Sequence, residues 1–162
     1  MAAQSTGSGG VGSVTLRPAV LGDSHRVWVW RNDPETCHTS FRPDPIPLAV
    51  HEEWFRTSLI LHTRRIYIVV ADGTESGVVA LDLLAGDGEV SVYLAPEWRY
   101  ASVAPGALRA LATEAFGALR DRRLLCSIRP DDQVSLAAFA AAGFALVGGS
   151  QAVTALLTDR RA

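Results

Sequence analysis

Apolar and polar residues alternate along Val14-Thr15-Leu16-Arg17, which predicts a first β-strand. Asp23 then stands as the N-cap of a helix carrying Val27, Trp28 and Trp30 toward Arg31, and Asn32-Asp33-Pro34 is its stop. Trp28 and Trp30, two residues apart, cannot share one helical face, so at least one points toward a loop or solvent. The proline-rich, polar segment from Thr36 to Pro47 predicts a loop. Helical spacing resumes from Leu48 to Ile60 through Val50, Trp54, Phe55 and Leu59. A β-branched run at Ile66 to Ala71, a turn at Asp72-Gly73, a run at Gly77 to Leu84, a turn at Asp87-Gly88 and a run at Glu89 to Leu94 predict three antiparallel strands. Ala104 to Arg120 then has helical spacing, Leu124 to Ile128 predicts a strand, and Gln133 to Ala142 a helix stopped by Gly143. Phe144 to Val147 and Ala152 to Leu157 close the chain as a pair of strands around Gly148-Gly149. The predicted order is β-α-α-β-β-β-α-β-α-β-β, an α+β domain with no internal repeat.

A chain of 162 residues is long enough for one domain with a full core. Residues 1–12 are expected to be a flexible leader and 13–162 a single domain. With 48% apolar residues, 20% charged residues and a formal net charge of -2, the profile is that of a globular protein. No apolar run reaches membrane-spanning length and the first residues lack the build of a secretory signal, so the expected location is the cytoplasm. Cys37 and Cys126 have no metal-ligand spacing and are expected to be free thiols, with no metal site. All 15 basic residues are arginine, which excludes a lysine Schiff base or a lysine-dependent phosphate loop. The acidic balance argues against broad nucleic-acid binding, and Arg120, Arg122 and Arg123 are read as a helix C-terminal cluster.

The order of elements, with a strand ending in Leu94-Ala95-Pro96-Glu97-Trp98-Arg99 and a helix opening just after it, resembles the GNAT family of N-acyltransferases across nearly the whole chain beyond the leader. Trp30-Arg31-Asn32-Asp33-Pro34 and His51-Glu52-Glu53-Trp54-Phe55 resemble the branch that acetylates amino groups of nucleotide-linked amino sugars. The resemblance implies a mixed, mostly antiparallel sheet flanked by helices, acetyl-CoA as co-substrate and a small-molecule primary amine as acceptor, in a monomer or homodimer serving specialised metabolism. The family's pyrophosphate turn, Arg/Gln-x-x-Gly-x-Gly/Ala, falls on Arg99, Tyr100, Ala101, Ser102, Val103 and Ala104. Serine stands where glycine is the rule, and Pro105 follows. Such a cradle needs converging backbone amides with no side chain in the way, and proline removes one amide from the set. Ser102 fits if its φ is negative.

Acyl transfer to an amine needs a group that takes a proton from the ammonium form. By resemblance that group is Glu89, at the start of the strand lining the reaction centre; the alternative for Glu89 is a solvated strand-edge residue. His51 is the rival base, or else a surface residue in the first turn of its helix. The family's thiol-side tyrosine position holds Phe139, whereas Ser135 falls where a related branch that acetylates ribosomal proteins keeps a serine near the thiol. Asp132 occupies the position of a family asparagine, and Asp132 and Ser135 equally fit a helix N-cap and its first turn. Backbone groups of Val92 and Leu94 would hold the acyl arm. Arg31 and Asn32 could fork onto a substrate phosphate or carboxylate, Trp54 could supply an apolar wall, and Tyr93 is the expected pocket aromatic. Because the turn departs from the pattern, two other readings stay open: an amide-forming enzyme that takes its acyl group from aminoacyl-tRNA or a carrier-protein thioester, and a catalytically silent binding domain.

Overall fold

In the computed structural model, residues 10–99, 102–117 and 123–160 are described. Seven strands form one sheet: β1 (Val14–Pro18), β2 (Arg64–Ala71), β3 (Thr74–Leu84), β4 (Asp87–Leu94), β5 (Arg123–Ile128), β6 (Ala145–Val147) and β7 (Val153–Thr158). Their spatial order is β1-β2-β3-β4-β5-β7-β6. Every pairing is antiparallel except β4 with β5, which are parallel. The helices are α1 (Ser24–Arg31), α2 (Pro34–Thr39), α3 (Leu48–Ile60), α4 (Val103–Gly117) and α5 (Gln133–Ala141). The α+β class and the sheet flanked by helices are those expected from the sequence. No helix among the described residues is long and apolar enough to cross a membrane.

Helix α2 departs from the expected order. Asn32-Asp33-Pro34 does not simply end a helix, because Asp33 accepts hydrogen bonds from the backbone N–H groups of Glu35 and Thr36 and Pro34 occupies the first helical position. An aspartate N-cap followed by proline is also a helix start, and that meaning prevails here. The expected loop from Thr36 therefore begins only after Thr39. Asp23 stands at the N-cap position of α1 as expected, but its side chain makes no capping hydrogen bond there: the carboxylate turns back to the Val20 N–H at 2.9 Å and to Arg17, closing a short 3₁₀ turn at Leu21–Asp23.

The β3–β4 turn is also displaced from its expected place. Leu84 pairs with Asp87, leaving Ala85-Gly86 as the two-residue loop with φ of 50° and 95°, while Asp87-Gly88 already belongs to β4. Two left-handed residues match the twist of a hairpin, and alanine pays about 1 kcal/mol for that conformation. Ala85→Gly is therefore expected to stabilise the fold by about 1 kcal/mol, raising the melting midpoint by about 2–4 °C in a thermal scan.

The two faces of the sheet carry separate cores. Val90, Leu94, Leu124 and Ile128 pack with Val103, Leu108 and Leu111 of α4 and Phe139 of α5. On the other face Val27, Trp30 and Phe55 of α1 and α3 pack on Ile66, Ile68 and Val78, with Tyr93 at the margin. Helix α5 ends as a Schellman motif: Phe144 N donates to Phe139 O at 3.1 Å, Gly143 N to Ala140 O at 3.0 Å, and Gly143 takes a φ of 96°. Both ring partners of that motif, Phe139 and Phe144, meet edge to face at 5.0 Å.

Candidate active site

The parallel pair β4–β5 holds only at Asp87↔Arg123, Gly88↔Leu124 and Glu89↔Leu125. Beyond it the strands part, although β4 runs on to Leu94 and β5 to Ile128. Strand geometry aims backbone groups of both strands into the gap with no neighbouring strand to receive them. A cavity of about 970 Å³ passes through this gap, and its walls come from α1, α2, β4, the first turn of α4, β5 and α5. Its size lies near the upper end of that of small-molecule and cofactor sites, roughly 300–1,000 Å³.

Nine of the residues singled out in the sequence meet in this cavity: Arg31, Glu89, Val92, Tyr93, Leu94, Arg99, Ala104, Asp132 and Ser135. Glu89 is exposed and sits at the last paired position before the strands diverge. Alternation sends Tyr93 to the α1–α3 face and Leu94 to the α4 face, which lets a single strand line the gap from both sides of the sheet. Burial pushes the Tyr93 hydroxyl up from its usual range, while Arg31 draws it down. Asp132 caps α5 by accepting from the Ser135 N–H at 3.1 Å, and both residues still line the cavity. The local role and the site role are therefore compatible.

Other expectations are redistributed. His51 is buried outside the cavity lining: its Nε2 lies 2.8 Å from the Ser24 carbonyl oxygen, and its ring stacks on Phe55 at 5.6 Å. It is not a surface residue. Burial lowers its pKa, so the unfolded chain binds a proton there more readily than the folded one. Its contribution to stability is full above the unfolded value of about 6.5 and is lost as pH falls below it toward the folded value. Denaturant midpoints measured across that range should fall with acidity in the wild type and fall less in His51→Gln. Asn32 is also outside the cavity; its side chain donates to Ile46 O at 2.8 Å and accepts from Ile46 N at 2.9 Å, fastening the loop after α2. Trp28 joins the same fastening through Nε1 to Ile46 O at 2.7 Å. Trp54 is partly exposed beneath the Arg64 guanidinium, 5.4 Å from its ring centre, and supplies no wall.

The segment before α4 divides. Arg99 lines the cavity, but its guanidinium is bound to Asp33 at 2.6 Å, Glu35 at 2.8 Å and the Thr36 hydroxyl at 3.2 Å, so it ties this segment to α2. Tyr100 and Ala101 lie outside the described residues. Ser102 lines a smaller recess of about 430 Å³ with Gly12 and Arg109. The Val103 side chain is fully buried in the α4 core. Ala104 and Pro105 do face the cavity, so the helix presents small, apolar side chains and unpaired first-turn N–H groups there.

Several lining residues had no signal in the sequence. Cys126 stands beside Glu89 and Asp132, where burial and those two carboxylates push its thiol up to about 12 and keep it neutral. Arg42 and Ser40 come from the loop after α2, which has no periodicity, and Asp82 comes from the strand adjacent to β4. The register between β3 and β4 sets Asp82 opposite Glu89.

The family model of the acetyltransferase (GNAT) domain matches residues 13–145. No curated protein matches the chain. Among solved structures, the aminoglycoside acetyltransferase AAC(6')-Ib in complex with acetyl-CoA is similar at a TM-score of 0.80 and 18% identity, with 91% of this chain and 94% of that chain covered. Spermidine N-acetyltransferase from Vibrio cholerae, in complex with CoA and spermine, is similar at a TM-score of 0.79 and 17% identity, covering 90% and 95%. The ribosomal L7/L12 α-N-protein acetyltransferase RimL, in complex with CoA, is similar at 0.77 and 15%, covering 91% and 94%. At such identities the likeness is one of fold.

Proposed function

The chain belongs to the GNAT acetyltransferase family, and from that premise we infer that it transfers an acetyl group from acetyl-CoA to the primary amine of a small metabolite, a nucleotide-linked amino sugar being one such acceptor. The observation that carries this reading is the cavity through the parted β4 and β5, with Glu89 at the point of parting. Acetyl-CoA fits the chemistry of that cavity. The free backbone edge of Val92 to Leu94 suits the amide-bearing acyl arm, and the first turn of α4 suits phosphate through its N–H groups and helix dipole. Of the residues before Pro105, Ala104 faces the cavity and offers its amide there in this reading. Pro105 costs one donor, about 1 kcal/mol of binding, and leaves the wall small enough for close approach. Residues 13–162 act as one domain in this reading, because strands from both ends of the chain enter one sheet.

Glu89 takes the proton from the acceptor ammonium, directly or through water, so that the neutral amine can attack the acetyl carbonyl. The C–N bond forms, the thioester C–S bond breaks, and the departing thiolate receives a proton. Ser135, whose hydroxyl has no hydrogen-bond partner among the described residues, lines the cavity next to the Asp132 cap and is the donor on that side. Tyr93 and Arg31 flank the acceptor. Transfer from aminoacyl-tRNA or a carrier-protein thioester, and a silent binding role, rest on the departures from the family pattern at Ser102, Pro105 and Phe139. Titration calorimetry tests the reading: CoA and acetyl-CoA are expected to bind with micromolar Kd, and no heat at millimolar coenzyme would overturn it.

A further inference from the structure

Half of the charged side chains that line the cavity are already neutralised. Arg99 is paired with Asp33 and Glu35, Asp82 with Arg64 at 2.5 Å, and Arg129 with Asp131 at 2.9 Å. Arg31 is not. Only 9% exposed, it donates from Nη2 to Arg42 O at 2.9 Å and to Ser40 Oγ at 3.4 Å, and from Nη1 to Cys37 Sγ at 3.7 Å. All three acceptors are neutral, and among the described residues Arg31 has no salt bridge to a carboxylate. These bonds fix the plane of the guanidinium while leaving Nε–H and one Nη1–H, together with the whole charge, unanswered. A cation buried without a counter-ion is expensive, and the cost is recovered when an anion completes the pair. Arg31 lines the cavity, close enough to Tyr93 for its charge to act on that hydroxyl, and Arg42 adds a second, exposed guanidinium to the lining. The carboxylates of Glu89 and Asp132 sit instead beside Cys126.

The geometry points to an anion subsite at Arg31: the molecule that brings the amine also carries a carboxylate or a phosphate, which Arg31 binds in its fork while Arg42 adds attraction at the mouth. This rests on reading the cavity as an acyltransferase site and specifies the acceptor it takes. An amine with an acidic group differs in sign from spermine, the polycation bound by the spermidine acetyltransferase with the same fold. Arg31 acts here as a specificity-determining residue, since the proton and the thiol are handled elsewhere.

The test uses the full chain saturated with CoA, so that the coenzyme's own phosphate contacts are filled, and titrates methyl phosphate, acetate and spermine by calorimetry. One of the two anions is expected to bind in the millimolar range, and which one binds separates phosphate from carboxylate. Arg31→Gln should weaken it about tenfold or more, as expected for a lost charge-assisted pair, and spermine should bind more weakly than the anion. Because Arg31→Gln also loosens the loop after α2, Arg42→Gln is measured beside it and should weaken the anion about twofold to fivefold with an unchanged melting midpoint. Anion binding unchanged in both variants, no binding of either anion, or tighter binding of spermine overturns the subsite. If CoA itself gives no heat, the coenzyme reading fails instead, and the same titrations on CoA-free protein still read Arg31 through the two variants.

Discussion

Glu89→Gln is expected to lower kcat/KM for acetyl transfer by about 100-fold to 10,000-fold, the range for removing a general base. Glutamine keeps the size and hydrogen-bonding reach of the side chain but cannot take up a proton. Glu89 is exposed and has no ion pair among the described residues, so the substitution removes no buried contact and the melting midpoint should stay where it is. The pH dependence separates chemistry from binding. As pH rises toward the acceptor amine's own pKa, the amine arrives already neutral, and the gap between variant and wild type should narrow. Initial rates of thiol release from acetyl-CoA at several pH values measure both effects. A variant within about threefold of wild type at neutral pH would remove Glu89 from the mechanism, since that is far below the general-base range.

Phe139→Ala is expected to destabilise the protein by about 3–5 kcal/mol, enough to lower the melting midpoint by about 10 °C. The ring is 1% exposed, packs edge to face on Phe144 at 5.0 Å, and forms the apolar contact of the motif that ends α5. Its loss leaves a void in the core shared with α4 and withdraws the support that keeps Ser135 and Asp132 at the cavity wall. Phe139→Leu fills part of the void and should recover about half of the loss. Thermal scans of the two variants beside wild type check this. A midpoint within about 2 °C of wild type for the alanine variant would mean that the ring carries little of the core.

The strands and long helices were legible because each has a single dominant period. Leu48–Ile60 and the runs ending in Ala71 and Leu94 stand within a few residues of where alternation and helical spacing put them. Errors fell where one residue pattern has two local meanings. Asp33-Pro34 serves equally as a stop and as a start, and Asp87-Gly88 resembles a turn although Ala85-Gly86 makes it. The site residues follow the same division. Glu89, Tyr93, Asp132 and Ser135, the positions the family resemblance points to, all line the cavity. His51, Trp54 and Asn32 are candidates by side-chain chemistry alone, and what they touch depends on how α1, α3 and the loop after α2 pack together.

Alternation, helical spacing and caps are properties of neighbouring residues, so the sequence by itself determined the kinds of element, their order apart from α2, and the place of Glu89 near the start of β4. Where β4 and β5 stop pairing is a property of two segments more than thirty residues apart, and register between distant strands is decided by burial on both faces of the sheet. Only the tertiary structure could therefore open the gap beyond Glu89. Only it could engage the charge of Arg99 with α2 and leave that of Arg31 at the cavity with no carboxylate partner among the described residues.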